Sequence, residues 1–290
     1  MQKSYATYFH LSHDPFGETP NPRFFFESAT HCAAIEGLLR SVRSGQGFSL
    51  LTGEVGTGKT LVTRILLQAL SDTTDSALIL YPRCSEAELL NSICEELEIP
   101  GDASLSDAPA SPKQALDRIN KFLLENARAG RRTLLVIDEA QNLSVATLET
   151  VRLLSNLETN ERKLLHILLV AQPEFRDQLA LPELRQLRQR LGTDISLSPL
   201  NLEETSAYVS YRLGRAGGAN FVRFDEAALR LLQRFTGGVP REINRHGHEL
   251  LSFAAENEIR LLTARVLRTW AAGRRPRSWK FWQRRENLSP

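Results

Sequence analysis

The chain has few cysteines, one methionine and no strong excess of charge of either sign. Cys32, Cys84 and Cys94 form no CxxC pair, which argues against a disulfide framework or a zinc site and indicates reduced thiols in a cytoplasmic protein. A formal net charge of +2 over 290 residues gives no general sign of a nucleic-acid or membrane partner. No apolar run approaches the length of a transmembrane segment, and the first ten residues lack the apolar core of a signal peptide.

Strands alternate with helices through the first two thirds of the sequence. Short apolar runs bounded by turn residues predict five strands, and amphipathic segments between them predict helices. This alternation is typical of an α/β fold with a parallel five-stranded sheet covered by helices on both faces. From Leu200 the strand signal ends, and the amphipathic segments 203–213, 225–235 and 241–256 predict a small all-α lid domain.

A glycine-rich stretch between a strand and a helix carries the strongest functional signal. Its sequence, Gly53-Glu-Val-Gly-Thr-Gly-Lys-Thr60, has the spacing of a phosphate-binding loop. Glycines let consecutive backbone N–H groups turn toward a polyphosphate, the lysine can reach the β- and γ-phosphates, and the threonine hydroxyl can ligate Mg²⁺. The stretch therefore predicts a nucleoside triphosphate site formed by Gly53, Glu54, Val55, Gly56, Thr57, Gly58, Lys59, Thr60 and Leu61.

Polar side chains end two of the other predicted strands. Asp138 and Glu139 end the apolar strand 133–139, at the edge where open α/β sheets place functional groups. We expect Asp138 to hold Mg²⁺ together with Thr60, and Glu139 to orient and polarise the attacking water. Gln172 ends the following strand and is expected beside Asp138, where it would sense the γ-phosphate; a plain strand-end hydrogen bond is the alternative.

Two groups of arginines complete the candidate site. The predicted helix 182–191 carries Arg185, Arg188 and Arg190, and an arginine donated to the γ-phosphate of a neighbouring subunit would explain them, as would a solvated helix face. We favour Arg190, followed by Arg188. Arg241 opens a lid helix, from which it could report nucleotide state to the lid or serve a structural role.

Four segments are expected along the chain. Residues 1–27, rich in proline and phenylalanine, predict an extended arm that either packs on the next domain or covers the base of the nucleotide. Residues 28–199 form the α/β core and residues 200–272 the lid. Residues 273–290 form a basic, tryptophan-containing tail, which is either a solvated flexible end or a contact with anionic phospholipid, nucleic acid or an acidic partner.

Together these residues resemble the AAA+ ATPases, and more narrowly the ExeA group, which includes general secretion pathway protein A and the MSHA-pilus biogenesis protein MshM. The resemblance spans residues 8 to about 262. Its motifs are Asp14-Pro-Phe16, Pro20-Asn-Pro-Arg-Phe24, the stretch 53–60, Ile137-Asp-Glu-Ala-Gln-Asn-Leu143, Leu154-Ser-Asn-Leu-Glu158, Ala171-Gln-Pro-Glu174, Leu184-Arg-Gln-Leu187 and Gly237-Gly-Val-Pro-Arg241.

The resemblance implies ATP and Mg²⁺ as cofactors, and ATP hydrolysis as the activity. It assigns the stretch 53–60 as Walker A, Asp138 and Glu139 as Walker B, Gln172 as a sensor and Arg241 as a second sensor. It also implies nucleotide-dependent homo-oligomers, rings or filaments, in which arginine fingers act in trans. Secretion-type members continue into a transmembrane helix and a peptidoglycan-binding domain, which this sequence does not reach, so a shorter MshM-like form is expected.

Two functional classes are open. The favoured one is a cytoplasmic ATPase, peripheral at the inner membrane, that acts as an assembly factor for a type II secretion or type IV, MSHA-like pilus machine. The alternative is an ATP-dependent DNA-binding regulator of the TniB and TnsC transposition type, which would need a basic stripe on one face of its oligomer. A nucleotide-gated scaffold with little turnover is a weaker third option, and Glu139 argues against it.

Overall fold

The computed structural model describes residues 4–17, 22–80, 82–101, 111–159 and 162–273. Short 3-10 helices lie at Pro22–Phe24, Ala140–Asn142 and Pro182–Leu184. In chain order the remaining elements are α1 (Tyr5–Tyr8), α2 (Ala29–Ser44), β1 (Phe48–Gly53), α3 (Lys59–Leu70), β2 (Thr74–Ile79), α4 (Glu86–Glu96), α5 (Pro112–Arg128), β3 (Arg132–Ile137), α6 (Val145–Leu154), β4 (His166–Ala171), α7 (Phe175–Leu179), α8 (Arg185–Gln189), β5 (Thr193–Leu197), α9 (Leu202–Arg215), β6 (Arg223–Phe224), α10 (Glu226–Thr236), α11 (Pro240–Glu256), β7 (Leu261–Leu262) and α12 (Ala264–Ala272).

Five parallel strands organise residues 22–198. Their order is β2-β3-β4-β1-β5, which places β4 between β3 and β1. Every residue of β1 and β4 is buried, as expected for central strands of a sheet that helices cover on both faces. The prediction of a parallel five-stranded sheet flanked by helices is confirmed. Parallel pairing brings the carboxyl ends of β1, β3 and β4 side by side at one edge, where the polar residues follow.

The two faces of the sheet have separate hydrophobic cores. Successive side chains of a strand point to opposite faces, so Leu50 packs in one core and Leu51 in the other. The first core adds α4, α5 and α6, for example through Ile119, while the second adds α2 and α3 through Leu38 and Leu66. Each fully buried leucine contributes about 2 kcal/mol of burial free energy, so these cores hold the strand ends in a fixed frame.

Residues 4–17 and 199–273 form a second compact unit. Its helices α9, α10 and α11 match the three segments predicted for the lid within a few residues. The unit also contains α12 and a two-stranded parallel sheet, which were not predicted from the sequence. In this sheet Arg223 pairs with Leu261 and Phe224 with Leu262. Strands of two residues are too short to leave a periodic pattern in the sequence.

The N-terminal residues depart from the single extended arm predicted over residues 1–27. Residues 4–17 contain a helical turn and belong to the C-terminal unit, whereas residues 22–27 lead into α2 of the other unit. Ser4 caps α1 by accepting a hydrogen bond from Ala6 N. This helical turn was not predicted, because the prolines that follow it favoured an extended segment.

Tertiary contacts explain where residues 4–17 lie. Phe16 is only 1% exposed, and its ring packs against Gly247 of α11 so closely that a Cβ there would lie 2.7 Å from the ring. Arg212 of α9 donates hydrogen bonds to the carbonyl oxygens of Pro15 and Gly17. The segment is therefore fixed by the helices of the C-terminal unit.

Two features predicted from the sequence concern membranes. No helix within the described ranges combines the length and the apolar character that crossing a membrane requires. The basic tail predicted over residues 273–290 lies, apart from Gly273, outside the described residues.

Candidate nucleotide-binding site

The loop between β1 and α3 has the backbone geometry of a phosphate cradle. Gly56 and Gly58 have φ angles of 85° and 106°, which side chains rarely tolerate. A Cβ at Gly53 would lie 2.7 Å from Thr57 Oγ1, so this position also needs glycine. Gly58 is the N-cap of α3 and has no side chain to cap it, which leaves the positive end of the helix directed to the loop.

Lys59 lies inside this loop. Its side chain is 94% buried, and its ammonium donates hydrogen bonds to Gly53 O at 2.6 Å and Glu54 O at 3.2 Å. Thr57 Oγ1 donates to the same Glu54 carbonyl at 2.8 Å. These bonds hold one positive charge at the centre of the loop, which is the charge that a polyphosphate needs there.

Thr60 and Asp138 meet across the edge of the sheet. Thr60 Oγ1 lies 3.4 Å from Asp138 Oδ2, and Asp138 N donates to Ile79 O at 2.8 Å, which fixes the end of β3 beside β2. Burial raises the pKa of Asp138, because the charged carboxylate is poorly solvated there. A hydroxyl and a buried carboxylate oxygen are ligands of the type that Mg²⁺ takes, usually with one or two carboxylates and substrate phosphates, so the residues fit this ion.

Glu139 stands next to Asp138 with a left-handed backbone, φ 52°. Its Oε2 accepts a hydrogen bond from Gln172 Nε2 at 3.2 Å and another from Gln141 Nε2. Gln141 in turn accepts from Gln172 N at 3.1 Å. Gln172 was expected beside Asp138 and follows β4, the strand next to β3. Its side chain contacts the neighbouring Glu139 carboxylate, which is half-buried and held by two amides.

Two residues of this region were not predicted from the sequence to belong to the site. Gln141 lies in the 3-10 turn after β3, and only the pairing of β3 with β4 shows that its amide reaches Glu139 and Gln172. His31 lies in α2, and its imidazole contacts the carbonyl oxygen of Thr57 in the loop. A buried polar residue that is close to the glycine loop only in the folded structure has no characteristic spacing from the loop in the sequence.

The predicted basic helix over residues 182–191 is divided in the structure. The 3-10 turn Pro182–Leu184 precedes α8, which ends at Gln189. Arg185 and Arg188 are exposed, whereas Arg190 is half-buried with Nη1 2.7 Å from Ser155 Oγ at the end of α6. Their role as arginine fingers stays a prediction.

The remaining predicted site residues are placed as follows. Glu54 and Val55 are exposed at the tip of the loop, and Leu61 follows Thr60 in the first turn of α3. Arg241 is exposed in the first turn of α11, in the C-terminal unit. Its expected role as a second sensor stays a prediction.

Comparisons with known proteins agree with this geometry. Residues 42–179 match the protein family described as AAA domain. General secretion pathway protein A of Aeromonas hydrophila is 45% identical to the chain over 240 residues, which cover 83% of this chain and 43% of that protein. The chain thus spans less than half the length of this curated relative.

Solved structures of similar fold come from proteins of more distant sequence. The Aeropyrum pernix ORC2 protein has a TM-score of 0.62 at 17% identity, with 92% of this chain and 74% of that chain covered. Cdc6p from Pyrobaculum aerophilum has a TM-score of 0.62 at 18% identity, with 92% and 70% covered. At these identities the similarity concerns the fold alone.

Proposed function

The chain has an AAA-type P-loop fold and is a homologue of general secretion pathway protein A, and from this premise we propose that it is an ATPase which assembles with nucleotide. The observation that carries the proposal is the approach of Thr60 Oγ1 to Asp138 Oδ2 at 3.4 Å, beside the buried ammonium of Lys59. A glycine loop alone binds many anions. The Thr60 hydroxyl and the Asp138 carboxylate beside the loop add the type of ligands that a nucleotide-bound Mg²⁺ takes.

Each residue of the site has a role in the proposed reaction. The backbone of residues 53–60 and the Lys59 ammonium bind the β- and γ-phosphates of ATP. Thr60 and Asp138 would hold Mg²⁺, which when bound would neutralise charge on the phosphates. Glu139 accepts a proton from the attacking water and fixes its direction, while Gln172 and Gln141 hold the Glu139 carboxylate in place.

Subunits complete one another's sites in this proposal. Arg190 or Arg188 reaches the γ-phosphate bound by a neighbouring copy, and Arg241 links nucleotide state to the lid. A single subunit would then bind ATP, but hydrolysis would occur only within a ring or filament. To act in this way, Arg190 would have to break its hydrogen bond with Ser155. Arg188 is exposed, which favours it as the arginine finger.

One observation supports a proposal for the cellular role: the name of the relative refers to the general secretion pathway. We propose that the chain is an assembly factor of a type II secretion or type IV, MSHA-like pilus machine. It would act in the cytoplasm, with residues 273–290 docking at the inner membrane or on a partner there. The relative supports this role over the part of its length that the chain covers.

Assembly measured in solution tests this function. The full chain is examined by light scattering with ADP, with a non-hydrolysable ATP analogue and without nucleotide, alongside the Lys59→Ala variant. We expect larger assemblies only with the ATP analogue, and only for the unmodified chain. Assemblies of the same size in every condition would contradict nucleotide-driven association.

Duplex DNA separates the two functional classes. Binding is measured across a salt series with and without the ATP analogue, and we expect no affinity beyond the non-specific level of about 10⁻⁴–10⁻⁶ M. Tight, ATP-dependent binding with a steep salt dependence would instead support a DNA-binding regulator.

Vesicles that contain anionic phospholipid then test the tail, since removal of residues 273–290 is expected to abolish any membrane association.

A further inference from the structure

One buried side chain outside the loop touches its backbone directly. His31, in the first turn of α2, is 5% exposed. Its Nε2 lies 2.8 Å from Thr57 O, and its Nδ1 lies 2.6 Å from the Oγ of Ser28, the N-cap of the same helix. The helix that precedes β1 is therefore linked to the phosphate-binding loop through a single imidazole.

The partners of His31 define its tautomer. A carbonyl oxygen only accepts hydrogen bonds, so Nε2 carries the proton that is donated to Thr57 O. In the neutral ring Nδ1 then accepts from the Ser28 hydroxyl. Ser28 thus fixes both the proton position and the orientation of the ring, in the way that a buried partner commonly orients a functional histidine.

The hydrogen bond to Thr57 O also determines the direction of the next N–H group. A trans peptide places its C=O and N–H on opposite sides, so a carbonyl held toward His31 turns the Gly58 N–H away from α2. We infer that His31 is a positioning residue that holds the Thr57–Gly58 peptide in the orientation which presents the Gly58 N–H to a nucleotide phosphate.

Gly58 and His31 fit each other closely. A Cβ on Gly58 would lie 2.7 Å from His31 Nε2, so the imidazole occupies the space that a side chain at this position would take. The ring of Phe25 stands edge-on to the imidazole, with centroids 6.0 Å apart, and limits its movement on another side. The peptide is therefore held by a ring that is itself held by Ser28 and Phe25.

This inference rests on the proposed nucleotide binding, and a set of variants tests the two separately. His31→Ala removes the donor, His31→Gln places an amide N–H at a similar reach, and Lys59→Ala reports on nucleotide binding itself. His166→Ala is the matched control, because it also removes a buried histidine from the same unit. His166 is the first residue of β4, so it lies at the amino-terminal end of the strand, opposite the end that carries the site. It is buried there, and its Nε2 contacts Ser49 Oγ.

The readouts are the affinity for a fluorescent ATP analogue and hydrogen exchange of the loop without nucleotide. We expect His31→Ala to weaken the affinity about tenfold and to speed exchange of the loop, His31→Gln to restore most of both, and His166→Ala to keep both within about twofold. The inference is overturned if His31→Ala binds like the unmodified chain while Lys59→Ala does not. Equal binding by the unmodified chain and Lys59→Ala would overturn the proposed function, and the inference with it.

Discussion

Gln172 Nε2 lies 3.2 Å from Glu139 Oε2, so the amide that follows β4 contacts the carboxylate that follows β3. The contact arises because β3 and β4 are neighbours in the sheet, with Ile137 opposite Leu169. Two strand ends that lie more than thirty residues apart in the chain thereby share one hydrogen bond. A group proposed to activate water is held by a group proposed to sense phosphate.

Glu139→Gln is expected to separate binding from hydrolysis. The amide keeps the size of the carboxylate but cannot take a proton from water, so turnover should fall by about a hundredfold or more. The affinity for the ATP analogue should stay close to that of the unmodified chain, because the Glu139 carboxylate accepts its hydrogen bonds from Gln141 and Gln172, which lie outside the loop. Phosphate release measured beside analogue binding checks this result; a variant that still turns over at the original rate would remove Glu139 from its role.

Gln141→Ala is expected to lower kcat without raising KM. Loss of this amide removes one of the two hydrogen bonds to Glu139 Oε2, which loosens the carboxylate and should reduce kcat about fivefold. Gln178→Ala is the matched control, because the Gln178 amide donates to Leu143 O instead. Steady-state kinetics of both variants decide the matter, and equal kcat values would show that Gln141 has no positioning role.

Mixed oligomers identify the arginine finger. An Arg190→Ala or Arg188→Ala chain should bind ATP yet hydrolyse little, because its finger would be missing from the site of its neighbour. Mixing that chain with the Glu139→Gln chain, which is expected to bind ATP without hydrolysing it, should restore part of the activity, since an intact finger then meets an intact site. If mixing restores nothing, the arginine acts within its own subunit, as the contact of Arg190 with Ser155 would allow.

Asp138→Asn is expected to stabilise the protein while it abolishes Mg²⁺-dependent hydrolysis. Burial raises the pKa of Asp138 in the folded chain, so its stabilising contribution is present at low pH and is lost as pH rises through the folded pKa. An asparagine avoids this cost. With a chelator present to remove Mg²⁺, the melting temperature of the variant should be a few degrees higher than that of the unmodified chain near pH 8. The difference should be smaller near pH 4. A lower melting temperature near pH 8 would contradict the buried-carboxylate account.

Local patterns made much of the fold and of the loop predictable. The spacing of residues 53–60, the strand before it and the helix after it lie within one continuous stretch, and the acids of β3 directly follow an apolar run. The order of the strands then brings Thr60 to Asp138 without further information from the side chains.

The features that could not be predicted from the sequence depend on contacts between distant residues. His31 meets Thr57 across 26 positions, and Gln141 meets Gln172 across 31. Packing of the phenylalanine-rich residues 1–27 was one of two predictions, yet only the closeness of Gly247 shows that Phe16 packs against α11. Periodicity predicts which face of an element is buried, but it does not identify the partner of a single polar side chain.

Titration of the unmodified chain and of Lys59→Ala with ATP and Mg²⁺ tests the central claim most directly. Lys59 supplies the buried positive charge within the loop, and its ammonium is held by Gly53 O and Glu54 O. We expect saturable binding by the unmodified chain and its loss in Lys59→Ala, at matched folding shown by circular dichroism. Unchanged ATP affinity in the Lys59→Ala variant would contradict the assignment of this loop as the nucleotide-binding site.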